Sequence, residues 1–367
     1  MKKSRKIWCA VSGHGYGHWF QVAPVLRALH ETGLPMKLHV TGGVPREIIA
    51  RSLDLPCTHD PENRDVGMIQ TDPLRVDLVA TRAALHQLHH SWEERLAREI
   101  RLLEAWRPDL ILGNIPYLPL EAGARLGVPT VALNSLTWNE VIKAYYPPEA
   151  PETREWLRTM ETAYGSATLG LRITPALPDH PFRENLPIPA ITTPGTGRTR
   201  ALREALGVAS GDTRPLMLLS LGGIPANHLP MEAMKQHTDF HWIVDHEAVP
   251  DGWAHLHPLR RLRHWPFADL SASVQGIVSK PGYGMAIAAM ANGLPFLYVC
   301  RGIFPDEIPI GQWCEQHGRA QEISREEFLN GTFADRIEAL LHRPAPPLPR
   351  ADGARVAAEI LLERFLG

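Results

Sequence analysis

The sequence predicts an α/β protein built of two units, each a parallel sheet covered by helices on both faces. Three observations carry that prediction. Residues 5–31, RKIWCAVSGHGYGHWFQVAPVLRALHE, run from an apolar strand through a glycine- and histidine-rich loop straight into an amphipathic helix, the opening unit of a nucleotide-binding α/β domain. The order of strand, glycine turn and helix recurs over 108–133 and starts afresh at 215–223 and 274–301, a repetition that argues for parallel sheets. The length of 367 residues accommodates two domains at roughly 150 residues each.

The first loop reads Ser12-Gly13-His14-Gly15-Tyr16-Gly17-His18. Gly13, Gly15 and Gly17 let the backbone approach a ligand, and the helix start behind them faces an anion. A phosphate loop has no need of imidazoles. Histidine takes or gives a proton near neutrality, so His14 and His18 are candidate bases or donors to a phosphate or sugar hydroxyl, the alternative being that they cap or pack the helix start. Val22, Val25, Leu26 and Leu29 mark the apolar face of that helix, which ends at Gly33, and Pro24 inside the pattern demands a late start or a kink.

A second strand is expected over 36–40, followed by Thr41-Gly42-Gly43 and a short helix. Residues 58–77 lack periodicity and read as a long loop or weak hairpin, a class of segment that is usually functional or mobile. From 78 to 106 the pattern is helical and charged, with Glu93, Glu94, Arg95, Arg98 and Glu99 expected on a solvated face. Strands follow at 108–114 and 129–133 around a helix over 121–126. Asn134, Thr137, Trp138 and Asn139 then stand at the carboxyl end of a parallel strand, where open sheets bind ligands; either they pack, or the Trp138 face takes a sugar ring or an apolar acceptor.

Residues 174–199, with six prolines, read as a linker or as the last strand of the first domain leaving for the next. The second unit opens with a helix over 200–206 stopped by Gly207, then an apolar strand running into Gly222 and Gly223, whose N–H groups are candidates for a diphosphate. A further strand is expected over 241–244. Over 274–301 a strand ends in Ser279-Lys280-Pro281-Gly282-Tyr283-Gly284, a small-residue helix spans 285–291, and another strand covers 295–300. The glycines give close approach and Lys280 adds positive charge at the helix start; the alternative is a packing helix with a glycine turn. Asp306 and Glu307 follow, two carboxylates beside the same crevice that are candidates to accept hydrogen bonds from ribose or sugar hydroxyls. Residues 351–365 form an amphipathic helix expected to cross back onto the first domain.

With 38 Lys+Arg against 40 Asp+Glu, charge offers no case for nucleic acid. Cys9, Cys57, Cys300 and Cys314 make no CxxC pair and no disulfide scaffold, so free thiols and a cytoplasmic location are expected. The basic start is followed by an apolar stretch too short for a signal peptide, and no run is long enough to span a membrane. A twofold homodimer is the background expectation.

The segments SGHGYGH at 12–18, DVGMIQTD at 65–72, NSLTWN at 134–139, KPGYG at 280–284 and LPFLYVCR at 294–301, in that order, resemble the B-type nucleotide-sugar glycosyltransferases (GT-B fold). They are most similar to the glycosyltransferase-like amino-terminal region of plant L-arabinokinases and their bacterial relatives. The resemblance implies two Rossmann-like domains facing each other across a cleft. Residues 1–185 would form the acceptor domain, 186–199 the linker, 200–345 the donor domain, and 346–367 a helix packing back on the first domain. It implies that Gly222, Gly223, Lys280, Gly282, Tyr283 and Gly284 contact the donor, with Asp306 and Glu307 standing where relatives carry an Asp-Gln pair for the donor sugar. Three positions depart from the pattern: Ala288 replaces a ribose-binding Glu, Gln21 stands where Arg is common, and Glu307 replaces Gln.

The expected function is therefore transfer of a sugar from a nucleotide-sugar to an acceptor hydroxyl, with His14 or His18 as base and Asp72 as orienter or alternative base. No Asp-x-Asp cluster asks for a metal, and no cofactor is expected beyond the nucleotide-sugar substrate. The donor-binding set also takes in Asn134 and Trp138. Alternatives are a nucleotide-sugar hydrolase or epimerase, and a nucleotide or sugar sensor without turnover. An apolar or aromatic cleft around Trp19, Trp138 and Tyr145 is expected for transfer, and a small wet pocket for hydrolysis.

Overall fold

The computed structural model describes residues 4–178, 181–222, 229–246, 249 and 253–367. Two fully parallel sheets organise them. In the first half the strands are β1 (Arg5–Val11), β2 (Met36–Thr41), β3 (Cys57–Asp60), β6 (Leu110–Asn114), β7 (Thr130–Asn134), β8 (Leu169–Ile173) and β9 (Asn185–Ile188), with a separate hairpin of β4 (Gln70–Asp72) and β5 (Arg75–Val76). Their order in the seven-stranded sheet is β3-β2-β1-β6-β7-β8-β9. The second half contributes β10 (Leu216–Leu219), β11 (His241–Val244), β12 (Leu256–Pro258), β13 (Gly276–Ser279), β14 (Phe296–Tyr298) and β15 (Ala320–Glu322), ordered β12-β11-β10-β13-β14-β15. In both sheets the order reverses beside the first strand of the unit, the switch point above which such sheets hold ligands.

Central strands β1, β6, β7 and β10 are buried on both faces, which is why they read as unbroken apolar runs. The first helix runs Gly17–Glu31 with Pro24 inside it, so the helix starts early and Pro24 only removes the amide that would bond the Phe20 carbonyl.

Three expectations are corrected. Residues 57–60 join the sheet edge as β3, pairing Leu38 with Cys57, and only the remainder of the 58–77 stretch is loop and hairpin. The helical stretch 78–106 is two helices, Leu78–His90 and Trp92–Trp106, which share Ser91 as a cap residue. Glu99 does not lie on a solvated face: it is buried and its carboxylate accepts from Arg64 Nε at 2.7 Å. Arg64 also donates to Asp60 at 2.6 Å, and these ion pairs tie the long loop to the helix beneath it.

The halves are joined through a continuous apolar core that includes Trp19, Leu26, Ile191, Tyr283, Ile287, Ala358 and Leu361. Helix Gly353–Leu361 packs on helix Gly17–Glu31, and Arg5 Nε donates to the Leu366 carbonyl at 3.0 Å. Tyr283, from the second half, donates its hydroxyl to the Thr174 carbonyl at 2.9 Å and accepts from Ile191 N–H at 3.0 Å. Among the described residues no helix is long and apolar enough to cross a membrane.

Candidate active site

Carboxyl ends of both sheets open onto one cleft of about 370 Å³. From the first half it is lined by His14, Gly15, Gly17, His18, Gln21, Gln70, Ser135 and Trp138, and from the second by Ser220, Gly222, Asp245, Lys280, Gly282, Tyr283, Gly284, Arg301, Phe304 and Asp306. The sequence singled out eleven of these eighteen. Gly13, Asp72, Asn134 and Glu307 do not line it, Gly223 lies outside the described residues, and Trp19 is core, its indole donating to Ser52 Oγ at 2.5 Å.

The loop after β1 is shaped by glycine. Gly15 sits at φ +77, the left-handed region, and a Cβ on Gly13 would collide with Asn63 Oδ1. Asn63 Oδ1 in turn accepts from Gly43 N–H at 2.7 Å, so one amide wedges the two glycine turns together. A Cβ on Gly67 would lie 2.8 Å from His14 Cγ, so the bare backbone there lets the ring seat. The first helix has no side-chain cap, leaving its first N–H groups to a ligand.

His14 is half-buried, in edge contact with Trp138 at 5.3 Å and parallel to Phe304 at 6.4 Å. Burial pushes its pKa well down, and neighbouring His18, Arg301 and Lys280 push the same way. Its Nε2 lies 3.4 Å from Gln70 Nε2. His18 is buried and its Nδ1 is 2.9 Å from Asn114 Oδ1. Desolvation lowers its pKa to about 4 against the opposing effect of that bond. Both imidazoles are thus neutral at physiological pH. Trp138 donates its indole N–H to Asp65 at 2.6 Å, and burial raises Asp65 to about 6.

On the opposite wall, helix Tyr283–Ala291 also starts without a side-chain cap. Lys280 stands just before it. Its pKa falls to about 8 through burial and then Arg301, while Glu307, Asp306 and Asp72 oppose the fall. Gly222 at φ +90 and Gly282 would carry Cβ atoms 3.6 and 3.8 Å from Lys280 Cε, so the lysine lies across both glycines. Arg301 stacks over Phe304 at 3.6 Å from the ring centroid and pairs with Glu307 at 2.5 Å. Glu307 also accepts from Arg301 N–H at 2.6 Å, so it is buried and taken up by Arg301. Asp306 keeps Oδ1 without a hydrogen-bond partner, and burial raises its pKa to about 7, Arg301 opposing.

Away from the cleft, Asp72 caps its hairpin turn, accepting from Leu74 N–H at 2.7 Å. Asn134 donates to the Leu136 carbonyl at 2.7 Å and shapes the loop that carries Trp138. Ala288 is buried and does not line the cleft. Asn114, Ser135, Arg301, Phe304, Ser220 and Asp245 went unpredicted. Their shared signal was position, each standing at or just beyond the carboxyl end of a parallel strand. Among the described residues no group of three or more His, Cys, Asp or Glu side chains is arranged to hold a metal ion.

Two parallel-sheet units with a shared cleft and a returning carboxyl-terminal helix define the two-domain B-type glycosyltransferase fold. The chain resembles the glycosyltransferase of kitacinnamycin (TM-score 0.65, 16% identity, 100% of each chain covered). It also resembles spinosyn rhamnosyltransferase SpnG (TM-score 0.61, 15% identity, 98% of this chain and 95% of that one). A third such structure is glycosyltransferase SnogD from Streptomyces nogalater (TM-score 0.58, 16% identity, 98% of this chain and 100% of that one). In sequence it is similar to an L-arabinokinase of Arabidopsis thaliana, 22% identical over 371 residues that cover 97% of this chain and 34% of that protein. The chain thus spans about a third of the length of that relative. No family model matches.

Proposed function

We propose that the protein transfers a sugar from a nucleotide-sugar, bound against the second unit, to a hydroxyl of an acceptor bound against the first. One observation carries the reading: a neutral, buried imidazole on one wall of the cleft faces a lysine and an uncapped helix start on the other. The acceptor oxygen attacks the anomeric carbon, its proton passes to His18 Nε2, and the bond to the diphosphate breaks. Lys280 and the N–H groups at the start of helix Tyr283–Ala291 take up the charge that develops on the leaving diphosphate. No divalent ion is given a role in this scheme. His18 is preferred to His14 because its Nε2 has no protein partner among the described residues, whereas that of His14 adjoins Gln70. Asp306 would accept from a donor-sugar hydroxyl through Oδ1, which has no hydrogen-bond partner and lies 3.6 Å from Arg301 Nη2.

Apolar walls favour transfer over hydrolysis, since Tyr16, Phe20, Leu136, Trp138 and Phe304 all face the cavity. The solved structures named above as glycosyltransferases support the same reading. The test is mass-detected turnover over a panel of nucleotide-sugars with and without hydroxyl acceptors. Acceptor-dependent release of nucleoside diphosphate, cut roughly 100-fold or more in His18→Ala, is expected. Release at one rate with or without acceptor would make the protein a hydrolase, and binding without turnover a sensor.

A further inference from the structure

Behind His18 lies a line of uncharged side chains that the reaction scheme above does not use. Asn114 Oδ1 is 2.9 Å from His18 Nδ1, Asn114 Nδ2 donates to Gln21 Oε1 at 2.8 Å, and Gln21 Nε2 donates to Ser135 Oγ at 3.2 Å. All four residues are buried, and Asn114 is wholly so. Three of them, His18, Gln21 and Ser135, also line the cleft. Each amide has a fixed donor end and a fixed acceptor end, so the direction of one bond sets the next. With Gln21 donating to Ser135, the Gln21 oxygen receives from Asn114, and the Asn114 oxygen turns to the imidazole. An imidazole nitrogen facing a carbonyl oxygen must carry the proton.

We infer that Asn114, seated by Gln21 and Ser135, is a positioning residue that holds His18 as the Nδ1–H tautomer and leaves Nε2 as a lone pair toward the cleft. The inference rests on the proposed role of His18 as base. The partner is a neutral amide, so the tautomer is set without a carboxylate to stabilise the imidazolium, and His18 acts as a weak base. The Ser135 hydroxyl, accepting from Gln21, keeps its own proton to donate. Rotating both amides and the hydroxyl together would reverse every bond in the line, move the proton to Nε2 and silence the base.

The first test needs no substrate: nitrogen chemical shifts of the protein labelled with 15N-histidine. A protonated Nδ1 and a bare Nε2 for His18, assigned by its loss in His18→Gln, are expected. A protonated Nε2 would overturn the proposal, whatever the protein transfers. Kinetics supply the second test, once a turning-over pair is known. Asn114→Asp keeps the acceptor and adds charge, so the acid limb of kcat should move up by about one to three pH units. Asn114→Leu removes the acceptor, so kcat should fall roughly 10- to 100-fold with KM little changed. Gln21→Met, one hydrogen bond further along the line from the imidazole, should show the same kcat loss in smaller measure. An unmoved acid limb in a folded Asn114→Asp protein would overturn the proposal. Absence of turnover with any nucleotide-sugar would instead count against the transferase reading and leave the tautomer result standing.

Discussion

Burial lowers the pKa of both His18 and Lys280, yet the consequences at neutral pH are opposite. His18, at about 4, is neutral over the whole physiological range, while Lys280, at about 8, remains mostly charged. Since kcat/KM reports the free enzyme, it should fall as pH drops toward the His18 value and protonates the base. It should fall again as pH rises through the Lys280 value and the diphosphate loses its cation. A bound diphosphate raises the lysine pKa, so the alkaline limb of kcat should lie at higher pH than that of kcat/KM. A pH series on both parameters checks this. Gly67→Ala sets a Cβ against the His14 ring on the acceptor side of the cleft and should raise the acceptor KM while leaving nucleoside diphosphate affinity, read by calorimetry, unchanged. At this scale the histidines, Lys280 and Asp306 were legible because residue type and loop position coincide. Arg301 and Phe304 were not, because their importance comes from stacking on each other and reaching across the cleft to His14, a relation no local pattern encodes.

Strands and glycine turns of both units could be read because double-sided burial leaves an unbroken apolar run. The segment 57–76 could not. Its strand β3 is four residues at a sheet edge, only partly buried, and the rest is held by ion pairs around Arg64 and by two isolated apolar anchors, Met68 and Leu74, rather than by apolar periodicity. Glu99 illustrates the failure: helical periodicity put it among exposed charges, whereas the loop folding over it supplies Arg64. Glu99→Ala strands a guanidinium that is 4% exposed, and with Asp60 still in place the loss should be about 3 kcal/mol. Glu93→Ala, at a position with 78% of its side chain exposed, should change stability by less than about 0.5 kcal/mol. Urea unfolding of the two variants separates a buried tie from a solvated charge.

Over the whole molecule, two sheets are bridged by Tyr283, whose hydroxyl serves both Thr174 and Ile191. Tyr283→Phe keeps the ring on the cleft wall but strips the partners from a buried N–H and a carbonyl, a cost of about 1–3 kcal/mol visible in urea unfolding. A hydroxyl acting on the donor instead would show as weakened nucleotide affinity at unchanged stability. Two glycine-loop units were legible from repetition along the chain, and the carboxyl-terminal helix that was expected to cross back does pack on helix Gly17–Glu31; the contribution of Tyr283 and Phe304 to the first half's packing was not legible, because they reach it only in three dimensions. In the proposed reaction the second unit holds the diphosphate of a nucleotide-sugar across Lys280. Calorimetric titration of the protein with nucleoside diphosphates measures that contact without any acceptor. The prediction is saturable binding of at least one of them, weakened tenfold or more in Lys280→Ala and little altered in His18→Ala. Equal affinity in wild type and Lys280→Ala, or no binding of any nucleoside diphosphate, would contradict it.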